Sequence, residues 1–172
     1  MNWSVVEEKL YTASTAALDS FLREHPAERF YGFIFDVNAD YGEVLLCLNT
    51  EAALHQWATS HYPSWSSPEV DRKLRWNAGD WEYQGFNNET PSSAQWEQTW
   101  SEVQESIASA SLDDDDISER FLESVCRVLL RLERSQEFLR INREPHFRTL
   151  VSDHDEDLQD SWARLERVRA AG

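Results

Sequence analysis

The sequence predicts an α+β fold: one domain over residues 1–172, with a mainly antiparallel sheet of about four strands packed with about five helices. Three observations predict it. Stretches with apolar residues at helical spacing alternate with short, strongly β-prone runs. The 172 residues, 41% apolar and 12% aromatic, suffice for one substantial core without disulfide staples. Neither an internal repeat nor a second composition regime divides the chain.

Residues 4–24 place Val6, Leu10, Ala13, Ala17, Leu18 and Phe21 three and four apart, and His25-Pro26 stops the helix they imply. FYGFIFDV (30–37) and EVLLCLN (43–49), joined by the turn residues NADYG, form an antiparallel hairpin. Both strands are apolar at nearly every position, so burial on both faces is expected. Thr50 caps a helix over 51–61, where Ala53, Leu54 and Trp57 share a face. HYPSWSSPE, with two prolines among its serines, reads as loop, and a short charged segment follows it.

RWNAGDWEYQ (75–84) comes next. Asn77 to Asp80 have turn composition, and Trp81-Glu82-Tyr83 alternates as a half-buried strand that sends Trp81 and Tyr83 to the same face. Core packing is the expected role, since tryptophan has a large area to bury and its indole N–H finds acceptors in a polar turn. An exposed aromatic platform is the alternative. SSAQ (92–95) matches a capping box, Ser92 capping and Gln95 three residues on, ahead of Trp96, Trp100, Val103 and Ile107 at helical spacing. A long helix over 117–140 aligns Leu122, Val125, Leu129, Leu132 and Leu139. PHFRTLVSD (145–153) reads as a strand, and EDLQDSWARLERV closes the chain as a helix.

Charge is the most unusual global feature. There are 32 acids against 16 bases, a formal net charge of −16. Between Arg75 and Arg120 no Lys or Arg occurs, while eleven acids do. Such a field repels nucleic acid and anionic lipid and attracts a basic protein. MNWSVVEEKLY is acidic and lacks an apolar stretch, so no secretory leader is expected, and no apolar run is long enough to span a membrane. Cys47 and Cys126 sit among apolar neighbours and are expected as free, buried thiols of a cytoplasmic protein.

Candidate chemistry is sparse. Asp153, Asp155 and Asp157 match the first three ligand spacings of a calcium loop, but Leu158 and Arg164 stand where its Gly and Glu belong. A helix start, with Asp153 capping and Glu156 at the capping-box position, explains the same residues better. Asp116 caps the long helix in the same way, with Glu119 three residues on, and the rest of Asp113 to Asp116 is a solvated linker or a patch for a basic partner. The stripe of Arg120, Arg127, Arg131 and Arg134 has the look of a phosphate grip, yet neighbouring acids favour intramolecular pairing. Five glycines, at 32, 42, 79, 85 and 172, write neither a P-loop nor a dinucleotide fingerprint. The histidines lack zinc spacing, and no nucleophile elbow exists. No cofactor and no metal are expected. Paired carboxylates have no local spacing rule, so a small hydrolase or transferase with a carboxylate site stays as the alternative to a non-catalytic module.

HPAERFYGFIFDV, LNTEAAL, RWNAGDWEY and VSDHDED, in that order, resemble a bacterial family, the domain of unknown function 4303 family, with R-W…D-W-E-Y the most specific element. The resemblance implies a bacterial cytoplasmic protein and supplies no catalytic residues. Families of this style are similar to immunity proteins encoded beside secreted toxins, which suits an acidic inhibitor of a basic toxin. The candidate partner-binding residues are Trp76, Asp80, Asp113, Asp114, Asp115 and Asp116.

Overall fold

β1 (Phe30–Asn38) and β2 (Glu43–Asn49) form the expected antiparallel hairpin, with Phe33 opposite Leu48 and Phe35 opposite Leu46. A 3-10 turn, Ala39–Tyr41, joins them, and Gly42 at φ 63° makes the left-handed exit that favours glycine. The computed structural model describes residues 2–109, 114–154 and 156–172. β3 (Arg143–Asp153) lies on the other side of β1 and runs parallel to it, giving the order β2-β1-β3.

The sheet is therefore mixed and three-stranded, where a mainly antiparallel sheet of about four strands was expected. A chain that leaves β2 and returns through several helices can re-enter in β1's own direction. The expected fourth strand shrinks to one bridge, Leu48 with Tyr83. Beyond it Gly85, at φ 66°, turns the chain away. The Asn87 side chain then takes over the pairing: Oδ1 accepts from Leu46 N (2.7 Å) and Nδ2 donates to Val44 O (3.3 Å). With Leu48 N donating to Tyr83 O (3.1 Å), three outward backbone groups of β2 are met by an irregular segment.

Seven α-helices accompany the sheet among the described residues: α1 (Trp3–Glu24), α2 (Glu51–His61), α3 (Ser67–Lys73), α4 (Ser93–Ala108), α5 (Asp114–Leu132), α6 (Gln136–Leu139) and α7 (Leu158–Ala171). Two exceed the expectation of about five. α3 arises within the serine- and proline-rich stretch read as loop, because Ser66, a proline in the first turn and Glu69 make a helix start; Ser66 N donates to the Glu69 carboxylate (2.9 Å). α6 arises because the long helix stops at Leu132 and Ser135 starts a new turn, accepting from Phe138 N (3.1 Å). That break buries Phe138 and leaves Leu139 exposed, against its expected place in the core.

Both faces of the sheet are covered. Phe33, Phe35, Val37, Val44, Leu46, Leu48 and Val151 face the larger cluster, closed by α1, α4, α5 and α7. Ile34, Cys47 and Leu150 face the smaller one, with Tyr31, Leu54, Ala58, Leu74, Ala78 and Trp81. A register irregularity between Phe30 and Gly32 breaks the alternation, so Tyr31 joins the smaller cluster while Phe30 joins the larger. Cys47 and Cys126 are free and buried, and burial pushes both thiols up to about 12, too high for a nucleophile at neutral pH. Among the described residues no helix is long and apolar enough to cross a membrane.

Candidate functional site

Three of the four sequence segments singled out above meet on the smaller face of the sheet, while the fourth, VSDHDED, lines a cleft beside them. The junction of the three is Arg75. Its guanidinium grips Glu51 with two bonds (2.7 and 3.1 Å), takes Asp71 from Nε (2.9 Å) and lies over the Tyr31 ring at 4.7 Å. Its carbonyl accepts from Tyr31 Oη (2.9 Å) and from Trp81 Nε1 (3.1 Å). Asn49 donates to Tyr31 Oη (3.0 Å), and His146 Nε2 meets Glu51 at 2.7 Å. Burial works to raise the Glu51 pKa, but the hydrogen bonds from Arg75 and His146 win and hold it below the usual carboxylate range.

Trp76 and Trp81 close over β1 where it carries no side chain. A Cβ on Gly32 would stand 2.9 Å from the Trp81 ring and 3.0 Å from the Trp76 ring, so this close approach requires glycine. Trp81 is buried, as expected. Tyr83 is not on its face: it packs against Phe21, His25 and Phe30 on the side of the larger cluster. Two-residue spacing fixes a common face only within a continuous strand, and here there is a single bridge.

Besides a cleft of about 320 Å³ lined by Glu51, Asp71 and Arg75 themselves, two more open beside this junction. The first, about 420 Å³, lies where the parallel strands β1 and β3 end and is lined by Asp36, Lys73, Trp76, Asn77, Asp153 and His154 among others. Asp36 comes from β1 and His154 follows β3, and their side chains approach to 4.0 Å. Burial pushes the Asp36 carboxyl above the usual range, although His154 and a hydrogen bond from Gln84 pull the other way. A carboxyl with a raised pKa beside an imidazole is the kind of pair that general acid–base chemistry uses.

The second cleft, about 340 Å³, lies between α2 and the 78–82 segment, and Trp57, His61, Asp80 and Glu82 line it. Trp57 was expected to share one face of α2 with Ala53 and Leu54. Instead Leu54 and Ala58 are buried, and Trp57 is exposed and stacked on His61 at 3.7 Å. An open indole beside two carboxylates suits a Lys or Arg side chain.

The candidate residues do not form one patch among those described. Trp76 is half-buried among Tyr31, Trp81 and Trp162 and reaches the first cleft. Asp80 accepts from Asn77 Nδ2 (2.6 Å) and lines the second. Asp114, Asp115 and Asp116 lie in the first turn of α5, which meets the 39–41 turn where Ser118 donates to Asp40 (3.2 Å). Asp116, expected as the cap, is already inside that helix; Asp113 lies outside the described residues.

Asp153 does not cap α7, whose N-cap is Asp157; its carboxylate accepts from Ala39 N (3.1 Å), tying β3 to the hairpin turn. Glu156, expected in a capping box, instead meets the buried Arg164 and accepts from Ser161 (2.7 Å). Asp155 lies outside the described residues, among which no group of three or more acids, histidines and cysteines is placed to hold a metal ion. Ser92 is the N-cap residue of α4 but makes no capping hydrogen bond from its side chain. Of the arginine stripe, Arg127 is paired with Glu7 and Glu123, and Arg131 with Glu8.

Sequence reasoning missed Asp36 and Trp57. The signal for Asp36 was present: one acid inside an otherwise apolar strand must be neutralised or face a cavity. The model of the family described as a domain of unknown function (DUF4303) matches residues 10–169. No curated protein and no solved structure matches the chain.

Proposed function

The chain belongs to the DUF4303 family, and we propose that it is a non-catalytic binding module for a basic protein, in the manner of an immunity protein that neutralises a basic toxin. The second cleft carries this reading, with the exposed Trp57 beside Asp80 and Glu82. From there the base-free stretch runs past the β2 edge to α4, and Glu82, Glu89, Glu97 and Glu105 along it are exposed. Such a surface steers a cationic partner over long range, and a single aromatic anchor then holds one of its side chains.

The test is surface-plasmon kinetics against the product of the adjacent gene. Association should slow steeply as salt rises, because screening confines the field to about 10 Å at 0.1 M. Trp57→Ala should speed dissociation, whereas Glu97→Lys with Glu105→Lys should slow association. Salt-independent association would defeat the proposal.

The second reading is a small hydrolase or transferase, favoured by Asp36 and His154 in the first cleft. Turnover of a chromogenic ester that disappears in Asp36→Asn, with folding unchanged, would establish it in place of the first.

A further inference from the structure

A groove of about 700 Å³ runs between β3, the end of α5, α6 and α7 and shares no lining residue with any cleft above. It holds three arginines in a chain where acids outnumber bases two to one. They are not equivalent. Arg169 is paired with Glu166 (2.5 Å) and Glu133 (3.5 Å). Arg143 and Arg148 have no carboxylate within 4.0 Å among the described residues.

Arg143 is held rather than loose. Its guanidinium lies against the Phe138 and Phe147 rings (4.8 and 5.1 Å), and Nη2 donates to the Phe138 carbonyl (2.6 Å). Its buried Nε–H has no acceptor. Arg148 is exposed and lies over the Trp162 ring at 5.9 Å. Glu133 acts on Arg143 only from beyond ion-pair contact, so this half-buried cation keeps a desolvation cost that an anion seated beside it recovers.

The groove offers three chemistries together. Guanidinium forks match phosphate oxygens. Trp162 and Phe147 form an aromatic wall, and the carboxylates of Glu133 and Glu166 accept from hydroxyl groups. We propose that this groove binds a nucleoside monophosphate, with the phosphate on Arg143 and Arg148, the base against the aromatic wall and the ribose hydroxyls toward Glu133 and Glu166. The volume lies within the range of about 300–1,000 Å³ common for small-molecule sites. The proposal is independent of the partner-binding reading.

Isothermal titration of the full chain with AMP, adenosine, ribose 5-phosphate and inorganic phosphate tests it. AMP should bind at least about tenfold more tightly than each of the other three. Arg148→Ala, an exposed position, should weaken AMP by about tenfold with an unchanged melting temperature. Arg143→Lys should weaken it comparably, since the charge survives and the fork does not. Absence of AMP binding at millimolar concentration, phosphate or ribose 5-phosphate binding as tightly as AMP, or indifference to Arg148→Ala would each overturn the proposal. So would a tetraglutamate peptide that displaces AMP, since the groove would then be a docking site for acidic chains.

Discussion

The two faces of the sheet are built by different means. On the larger face, regular helices lay periodic apolar stripes on the strands: Leu10, Ala17 and Phe21 from α1, Val125, Leu129 and Leu132 from α5. On the smaller face only α2 supplies fully buried helical residues, Leu54 and Ala58, with Val70 of α3 and Leu158 and Trp162 of α7 packed at the margin. The rest is irregular chain from Leu74 to Trp81, fixed by hydrogen bonds to one backbone carbonyl and by one guanidinium. A periodic face spreads its stability over many interchangeable contacts. A face pinned at a junction concentrates it, so damage there should be larger for each atom changed.

The largest expected effect is at Trp81. Trp81→Ala should cost about 3–5 kcal/mol in denaturant unfolding, through lost burial and a carbonyl left with one donor fewer. A change below about 1 kcal/mol would put the smaller face on the same footing as a surface loop. Next comes Gly32→Ala, which drives a methyl group into two indole rings and should cost about 1–3 kcal/mol. Gly79→Ala is the control. Its Cβ would meet nothing nearer than 3.7 Å and its φ is not positive, so stability should move by no more than about 0.5 kcal/mol.

The smallest effects separate two acids by sign. The Glu51 pKa is depressed, so its contribution is present above the unfolded pKa and fades as pH falls through the folded one. Glu51→Gln should therefore lower the melting temperature at neutral pH and leave it unchanged in strong acid. The partly exposed setting limits the loss to about 1 kcal/mol. The Asp36 pKa is raised, so the folded state holds its proton more tightly and loses stability as pH climbs past the unfolded pKa. Asp36→Asn should raise the melting temperature at neutral pH and do nothing in acid. Thermal melts of both variants across pH 3–8 check the pair, and parallel shifts would contradict the assignment.

What was legible in the sequence follows the same division. The α1 face, the hairpin, the Thr50 cap and the burial of Trp81 were all readable, because each rests on local spacing or local polarity. The parallel placement of β3 was not, since direction depends on how the intervening helices return the chain. Nor was the separation of Trp81 from Tyr83, which turns on how far a strand continues. The site shows this most clearly. Asp36 and His154 lie over a hundred residues apart and meet through the pairing of β1 with β3. No spacing rule along the chain anticipates that.

The Asn87 side chain, standing in for a strand beside β2, has a consequence for the behaviour of many copies together. Its amide meets Leu46 N and Val44 O as a neighbouring backbone would, yet presents no further ladder beyond itself. Strand-by-strand polymerisation requires two open edges on every unit, one to receive and one to offer. With these β2 groups already taken, another copy finds no continuous ladder to extend on that side of the sheet. One amide thus terminates a chain reaction that the strongly β-prone hairpin would otherwise invite.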